Sequence, residues 1–297
     1  MDYGNIVKES FKIAWEHKSL WVFGFFASGG IGFNFDPSTF GGSRSELPWG
    51  TPNGLENIFD SHWLLPFIGL IAIIILVFLI VNLICTPALI DAVNRIRRGG
   101  TYTFKSSFSA GVDFLGRFLL FFLILLACSI VFFGVLVGIG ALAFCIHVAV
   151  GVVSLLILIP VFILGISLCY VLTALTERAM VLRNIGIAKA FDEAVLLIRR
   201  EPGKNAIMLL INIAISIGLS MGSMILFLMI GLPLAALGVL SGLSLIPAIV
   251  LTMIIGFPIS LVIGGFVGTG IFNMYTLFYI ELVEPTQPTA ASIPPGL

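Results

Sequence analysis

Three histidines (His17, His62 and His147), four cysteines and three asparagines set within apolar stretches (Asn82, Asn212 and Asn273) are the side chains whose types could ligate, polarise or bind a small molecule. Hydrolysis inside a bilayer needs a base, an activated nucleophile or a metal within hydrogen-bond reach. No two of the histidines share a helix face, and neither HExxH nor a paired-carboxylate motif occurs. Cys85, Cys128, Cys145 and Cys169 lie in apolar segments without CxxC spacing, so they read as thiols at lipid or helix contacts. A bis-histidine haem lacks its second imidazole at matching depth. Ligation of a chlorin by His147 alone is the minor alternative to an ordinary interfacial histidine. The chain is therefore expected to be non-enzymatic, with no catalytic residue, metal site or cofactor. The three asparagines keep two readings, either hydrogen bonds between helices or the lining of a solute path helped by carbonyls freed at Pro87, Pro160 and Pro258.

The elements that would carry these residues follow from the charge pattern. Between Arg117 and Glu177 lie 59 residues without a formal charge, and between Lys204 and Glu281 another 76. A charge near the bilayer centre costs roughly 2.5–3.5 kcal/mol even on the lenient scale, so such runs imply lipid as solvent. With 59% apolar residues, 10% charged residues and a mean hydropathy of +1.15, the chain reads as a polytopic membrane protein. At about 20 apolar residues per crossing, residues 19–35 predict a short first span and 63–90 a second. The 59-residue run predicts two helices turning between Ala143 and Gly151 around His147. The 76-residue run predicts two, at about 205–230 and 250–280, or three shorter ones if the chain breaks at Gly256-Phe257-Pro258. The Gly pairs Gly134/Gly138, Gly218/Gly222, Gly238/Gly242 and Gly264/Gly268 predict close helix contacts before any pore lining. The first 18 residues are charged, and no signal-peptide cleavage site follows them.

Orientation follows from Lys and Arg, which remain on the cytoplasmic side. Fourteen of the 15 basic residues flank the first span's start, the second-to-third connection or the fourth-to-fifth; Arg44 alone falls in the outer loop at 36–62. Six spans with both termini cytoplasmic satisfy that count, whereas a seventh would put the tail outside. The outer loop carries Trp49, with Trp63 at its end, and reads as a cap on the membrane surface or a mobile loop. The tail, 285–297, is Pro-rich and reads as disordered.

Three segments repeat a pattern: Ser10-Phe11-Lys12-Ile13-Ala14-Trp15, Ser107-Phe108-Ser109-Ala110-Gly111-Val112 and Ala190-Phe191-Asp192-Glu193-Ala194-Val195. Each has an apolar residue four positions before its Phe, namely Val7, Phe104 or Ile187, which is helical periodicity. The predicted fold is all-α: six transmembrane helices as three hairpins, each preceded by a cytoplasmic interfacial amphipathic helix. The units are 1–100, 101–183 and 184–284. Gly99-Gly100 and Gly186 are expected to end the preceding long helices as C-cap glycines.

The opening FKIAWEHKSLWVFGFF and the two stretches Arg95–Phe108 and Arg178–Phe191, each a basic helix end running through Gly into a Phe-bearing helix, resemble a known group. They are similar to six-span bacterial and archaeal membrane proteins of unknown function, the YciC-like proteins and relatives labelled "glycerophosphoryl diester phosphodiesterase membrane domain". The resemblance implies a fold and a location in a prokaryotic plasma membrane. It carries no activity, because the phosphodiesterase chemistry of such fusions belongs to a separate soluble barrel.

Two functions follow as expectations. The first is a structural or accessory subunit whose basic collar, Lys8, Lys12, Arg97, Arg98, Lys105, Lys189, Arg199 and Arg200, holds anionic headgroups at about 1 kcal/mol per basic residue. Its partners would be membrane lipids and other integral membrane subunits, with no nucleic acid. The second is a small-molecule or lipid carrier using the space between the hairpins. A polar cavity lined by Asn82, Asn212 or Asn273 would favour the carrier; a packed centre with bare Gly or aromatic faces would favour the subunit.

Overall fold

The computed structural model describes residues 1–28, 64–100, 102–240 and 245–283. They form eight helices: α1 Tyr3–Glu16, α2 Leu20–Ala27, α3 Leu64–Arg97, α4 Phe104–Ile146, α5 Val148–Leu182, α6 Ile187–Arg200, α7 Pro202–Leu240 and α8 Leu245–Val283. No strand occurs among the described residues. Among the described residues five helices are long and apolar enough to cross a membrane, through Ala72–Arg97, Phe104–Ile146, Val148–Leu182, Pro202–Pro233 and Leu261–Val283. The molecule is a multi-pass helical membrane protein. Of the first expected span, residues 19–28 fall within the described residues; Leu20–Ala27 of them are helical, and eight residues reach only about 12 Å. The rest of that span, the outer loop 36–62, His62, Gly242 and the tail lie outside them.

Backbone needs explain the unbroken length of the helices. In lipid every amide must find its partner within the segment, so Pro87, Pro160, Pro233 and Pro258 are carried inside helices without ending them. The alternative break at Gly256-Phe257-Pro258 does not occur, and the 76-residue run holds two helices. His147 is the single residue between α4 and α5, and its Nδ1 accepts the Ala149 N–H at 3.1 Å, capping α5. Gly99, at φ 71°, closes α3 as expected: Gly100 N–H reaches the Arg95 carbonyl (2.9 Å) and Gly99 N–H that of Ile96 (3.0 Å), a Schellman pair. The expectation for Gly186 is corrected. Asn184 takes the left-handed turn after α5 (φ 50°), and Gly186 is instead the N-cap of α6.

A second correction concerns the amphipathic segments. α1 and α6 are separate helices, but the middle segment is the first turns of α4, one 43-residue helix about 65 Å long. The chain between Tyr102 and Arg117 contains no Gly-Pro or cap signal strong enough to stop it.

The small residues of the repeated pattern, more than its phenylalanines, make the close contacts. Ser10 and Ala14, Ser107 and Gly111, and Ala190 and Ala194 are all buried, whereas Phe108 and Phe191 are 41% and 40% exposed. Small residues four apart let two backbones approach. A Cβ on Gly111 would meet the Ile84 carbonyl and lie 3.0 Å from Ala88 Cβ, so α4 begins flush against α3. α1 and α2 fold onto α8 in the same way. Phe11, Trp15 and Trp21 surround Phe266 edge-on at 5.6–5.7 Å, and the Trp21 indole N–H holds the corner by donating to the Ala14 carbonyl at 2.7 Å.

The packed core gathers at the end of the bundle where the basic residues lie. Its largest buried side chains are Phe23, Leu89, Phe118, Leu175, Met180, Met208, Tyr275, Phe278 and Tyr279. Away from that end the spans separate. Between Leu126 and Leu168, α4 and α5 are largely bare outside their mutual contact, with Ile130, Val131, Leu156 and Leu164 each 64–72% exposed. Lipid is as apolar as these side chains, so nothing drives them together.

Candidate functional site

Glu177 and Arg178 occupy the last turns of α5, a span whose apolar stretch continues past them through Ala179, Met180, Val181 and Leu182. Helical geometry turns Arg178 toward α8, where it is 2% exposed. Its Nη1 donates to the Ala174 carbonyl (2.8 Å) and to Glu177 Oε2 (3.2 Å), and its Nη2 to the Phe272 carbonyl of α8 (3.1 Å). The guanidinium stacks 4.3 Å from the Phe272 ring centroid and 5.6 Å from that of Tyr275, contacts worth about 2 kcal/mol when desolvated. Arg178 Nε is buried with no acceptor. The guanidinium therefore ties α5 to α8 and keeps its Nε–H unspent.

A cavity of about 210 Å³ opens beside this pair, between α2, α5 and α8; Ser28, Tyr170, Thr173, Glu177, Arg178 and Tyr275 supply its polar groups. The Tyr170 and Tyr275 rings meet edge-to-face at 5.6 Å. Tyr275 OH faces Asn212 without a hydrogen bond of ordinary geometry.

Sequence reasoning grouped Arg178 with the surface basic residues, and the structure removes it from them. The missed signal was its flanks: Leu175-Thr176 before the pair and Ala179–Leu182 after it keep the pair inside an apolar helix. Charges within a span are a functional-site expectation by default.

Asn82 and Asn273 are not among the residues that line this cavity, and Asn212 stands behind two that are, Tyr170 and Tyr275. Asn82 Nδ2 donates to the Phe26 carbonyl, joining α3 to α2. Asn212 Nδ2 donates to Tyr170 OH (2.9 Å), joining α7 to α5, and its Oδ1 accepts from Ser216 (3.2 Å). Asn273 is fully buried in α8, and neither end of its amide has a partner. None of the three is among the residues lining the two polar cavities.

The collar residues behave as a class. Lys8, Arg97, Arg98, Lys105, Lys189, Arg199 and Arg200 are exposed and form no ion pair among the described residues; Lys12 pairs only with Glu16 at 3.8 Å on the same helix. Other basic residues at this end are committed internally: Arg95 to Asp91 (2.8 Å), Arg117 to Asn184 (2.7 Å), Arg183 to Glu193 (2.9 Å) and Lys204 to Glu201 (3.1 Å). Glu193 also accepts from Tyr279 OH at 2.6 Å, so α6 is held against α5 and α8 together. Arg97 and Arg98 line, with Asn94 and Arg183, a cavity of about 220 Å³ where α3, α5 and α8 end.

Histidine and cysteine chemistry finds no assembly. His17 Nδ1 is buried without a partner beside the Tyr102 ring, about one helix length from the bundle's far end where His147 caps α5. No group of three His, Cys, Asp or Glu side chains could hold a metal among the described residues. Cys85 is buried, and Cys128, Cys145 and Cys169 are exposed.

A family model described as a family of unknown function, DUF7544, matches residues 14–286, from the α1–α2 corner to beyond α8. The chain belongs to that family. No curated protein and no solved structure matches it. In this DUF7544 chain the matched region contains the Trp15–Trp21–Phe266 corner, the Glu177–Arg178 pair and all five long apolar helices, while most of α1 lies outside it.

Proposed function

We propose that the chain is a non-enzymatic structural or accessory subunit of a prokaryotic cytoplasmic membrane, packing its separated hairpins against other integral membrane subunits. In this reading it has six spans in three units, with 19–35 as the first, both termini in the cytoplasm and a YciC-like ancestry. Its basic collar rests on anionic headgroups, and nucleic acid has no part in it. The supporting observation is a contrast between glycines. Cβ atoms on Gly265 and Gly268 would strike α2, at 2.8 Å from the Trp21 carbonyl and 2.8 Å from the Gly24 carbonyl. Cβ atoms on Gly134, Gly138, Gly218 and Gly222 would meet nothing within 4 Å. The first pair is used within the chain; the others leave bare small-residue faces of the type that joins transmembrane helices.

A photo-crosslinking residue at position 134, 138, 218 or 222 in intact membranes should give protein adducts of discrete mass. The same residue at position 130 should give mainly lipid adducts. Lipid adducts alone at all four glycine positions would refute the subunit reading. The carrier is the second reading, favoured by the Glu177–Arg178 cavity.

A further inference from the structure

The cavity between α2, α5 and α8 has a composition that restricts what could fill it. We infer that it binds a small zwitterion, a molecule bearing a primary ammonium and, a few bonds away, a carboxylate or phosphate. This goes beyond the scaffold reading and does not depend on it.

The pair that borders the cavity is held in place without being exhausted. Arg178 spends Nη1 and Nη2 on the Ala174 and Phe272 carbonyls and on Glu177 Oε2, but its Nε–H has no acceptor. Tyr275, 1% exposed, has a buried OH that faces Asn212 and makes no hydrogen bond of ordinary geometry. Glu177 lends only Oε2 to the arginine, which leaves Oε1 for a donor. Arg178, Tyr275 and Glu177, the residues that carry these groups, all line the one cavity.

Charge balance selects the ligand class. An anion at the arginine would face the Glu177 carboxylate, and a cation at Glu177 would face the guanidinium, each at close range in a medium that screens poorly. A molecule with both signs meets each with its opposite. Its anionic group would accept from Arg178 Nε–H and Tyr275 O–H, and its ammonium would donate to Glu177 Oε1 beside the Tyr170 ring. The 210 Å³ available equals the liquid share of roughly seven waters, the size of a small amino acid or an ethanolamine phosphate headgroup.

Both sources share this chemistry, and the experiment separates them. The full-length protein is reconstituted in phosphatidylglycerol nanodiscs and titrated calorimetrically with L-alanine, with O-phosphoethanolamine and with acetate and ethylamine as half-ligands. A parallel set of discs contains phosphatidylethanolamine, and thermal midpoints are read in both. The expected result is saturable binding of a zwitterion with each half-ligand at least about tenfold weaker, and about tenfold weakening in Glu177→Gln and Tyr275→Phe. Arg178→Gln removes the tie to α8, so Tyr275→Phe is the variant that must stay folded. Stabilisation only in discs with phosphatidylethanolamine, lost in Tyr275→Phe, identifies the headgroup as the source. Absence of saturation up to about 10 mM together with no effect of phosphatidylethanolamine overturns the proposal. So does equal binding of either half-ligand.

Discussion

Replacing Gly24 by Ala should disable the α2–α8 crossing, while the same change at Gly134 should be harmless to the isolated chain. A Cβ on Gly24 would lie 2.6 Å from Thr269 N and 2.7 Å from Thr269 Cα, backbone atoms that cannot rotate away. Carbon contacts are optimal at about 3.5–4.0 Å, so α2 must withdraw by about 0.8 Å or more. That displacement loosens the packing of buried Leu20 and Phe23 and stretches the contact between Thr269 Oγ1 and the Leu20 carbonyl, now 3.1 Å. Overpacking costs about 1–3 kcal/mol and the weakened hydrogen bond about 1 kcal/mol, against a helix-propensity gain of about 1 kcal/mol for Gly to Ala. The net is a loss of about 1–3 kcal/mol. At Gly134, with nothing within 4 Å, only the propensity gain operates. The two variants should therefore differ by about 2–4 kcal/mol, or roughly 5–15 °C in thermal midpoint. The assay is loss of monodisperse protein on heating in mild detergent, both variants at one heating rate. Equal midpoints for Gly24→Ala and Gly134→Ala would refute the close crossing that organises this end of the molecule.

Among the asparagines, Asn212→Leu loses the bond to Tyr170 and should cost about 0.6 kcal/mol. Asn273→Leu removes a buried amide without a partner and should be neutral or stabilising. A midpoint for Asn273→Leu below that of Asn212→Leu would show that Asn273 has an essential partner. For the collar, converting Lys189, Arg199 and Arg200 to Gln removes three exposed charges that make no ion pair among the described residues. At about 1 kcal/mol each, anionic lipid retained through purification should fall by up to roughly 100-fold in affinity, with an unchanged thermal midpoint. Unaltered lipid content in mass spectra would leave these residues as topology signals only.

The membrane setting, the long helices, the α4–α5 turn and the end of α3 were legible along the chain. Solvent enters sequence directly: a charge-free run has to lie in lipid, a single His between apolar runs marked the α4–α5 turn, and Gly99-Gly100 carried its Schellman pair on its face. The corrections arose where local signals competed with neighbours. Asn184 can take the left-handed turn as Gly can, which freed Gly186 to cap α6. The middle repeated segment joined its span because its small face lay flush on α3 and nothing interrupted the amides. Roles of individual polar residues needed the third dimension. Asn82 and Asn212 found partners on other helices, Asn273 found none, and the identical-looking basic residues divided into committed ones and unpaired ones.

Sequence alone determined the environment, because hydropathy and charge are summed over a segment and need no partner to be read. Tertiary structure decided which charge is buried. Arg178 is one residue in a basic flank until α5 is turned against α8, where the Phe272 carbonyl and ring receive it and a cavity forms beside Glu177. Burial of a guanidinium depends on acceptors 94 residues away in the chain, and helical periodicity carries no information about that distance.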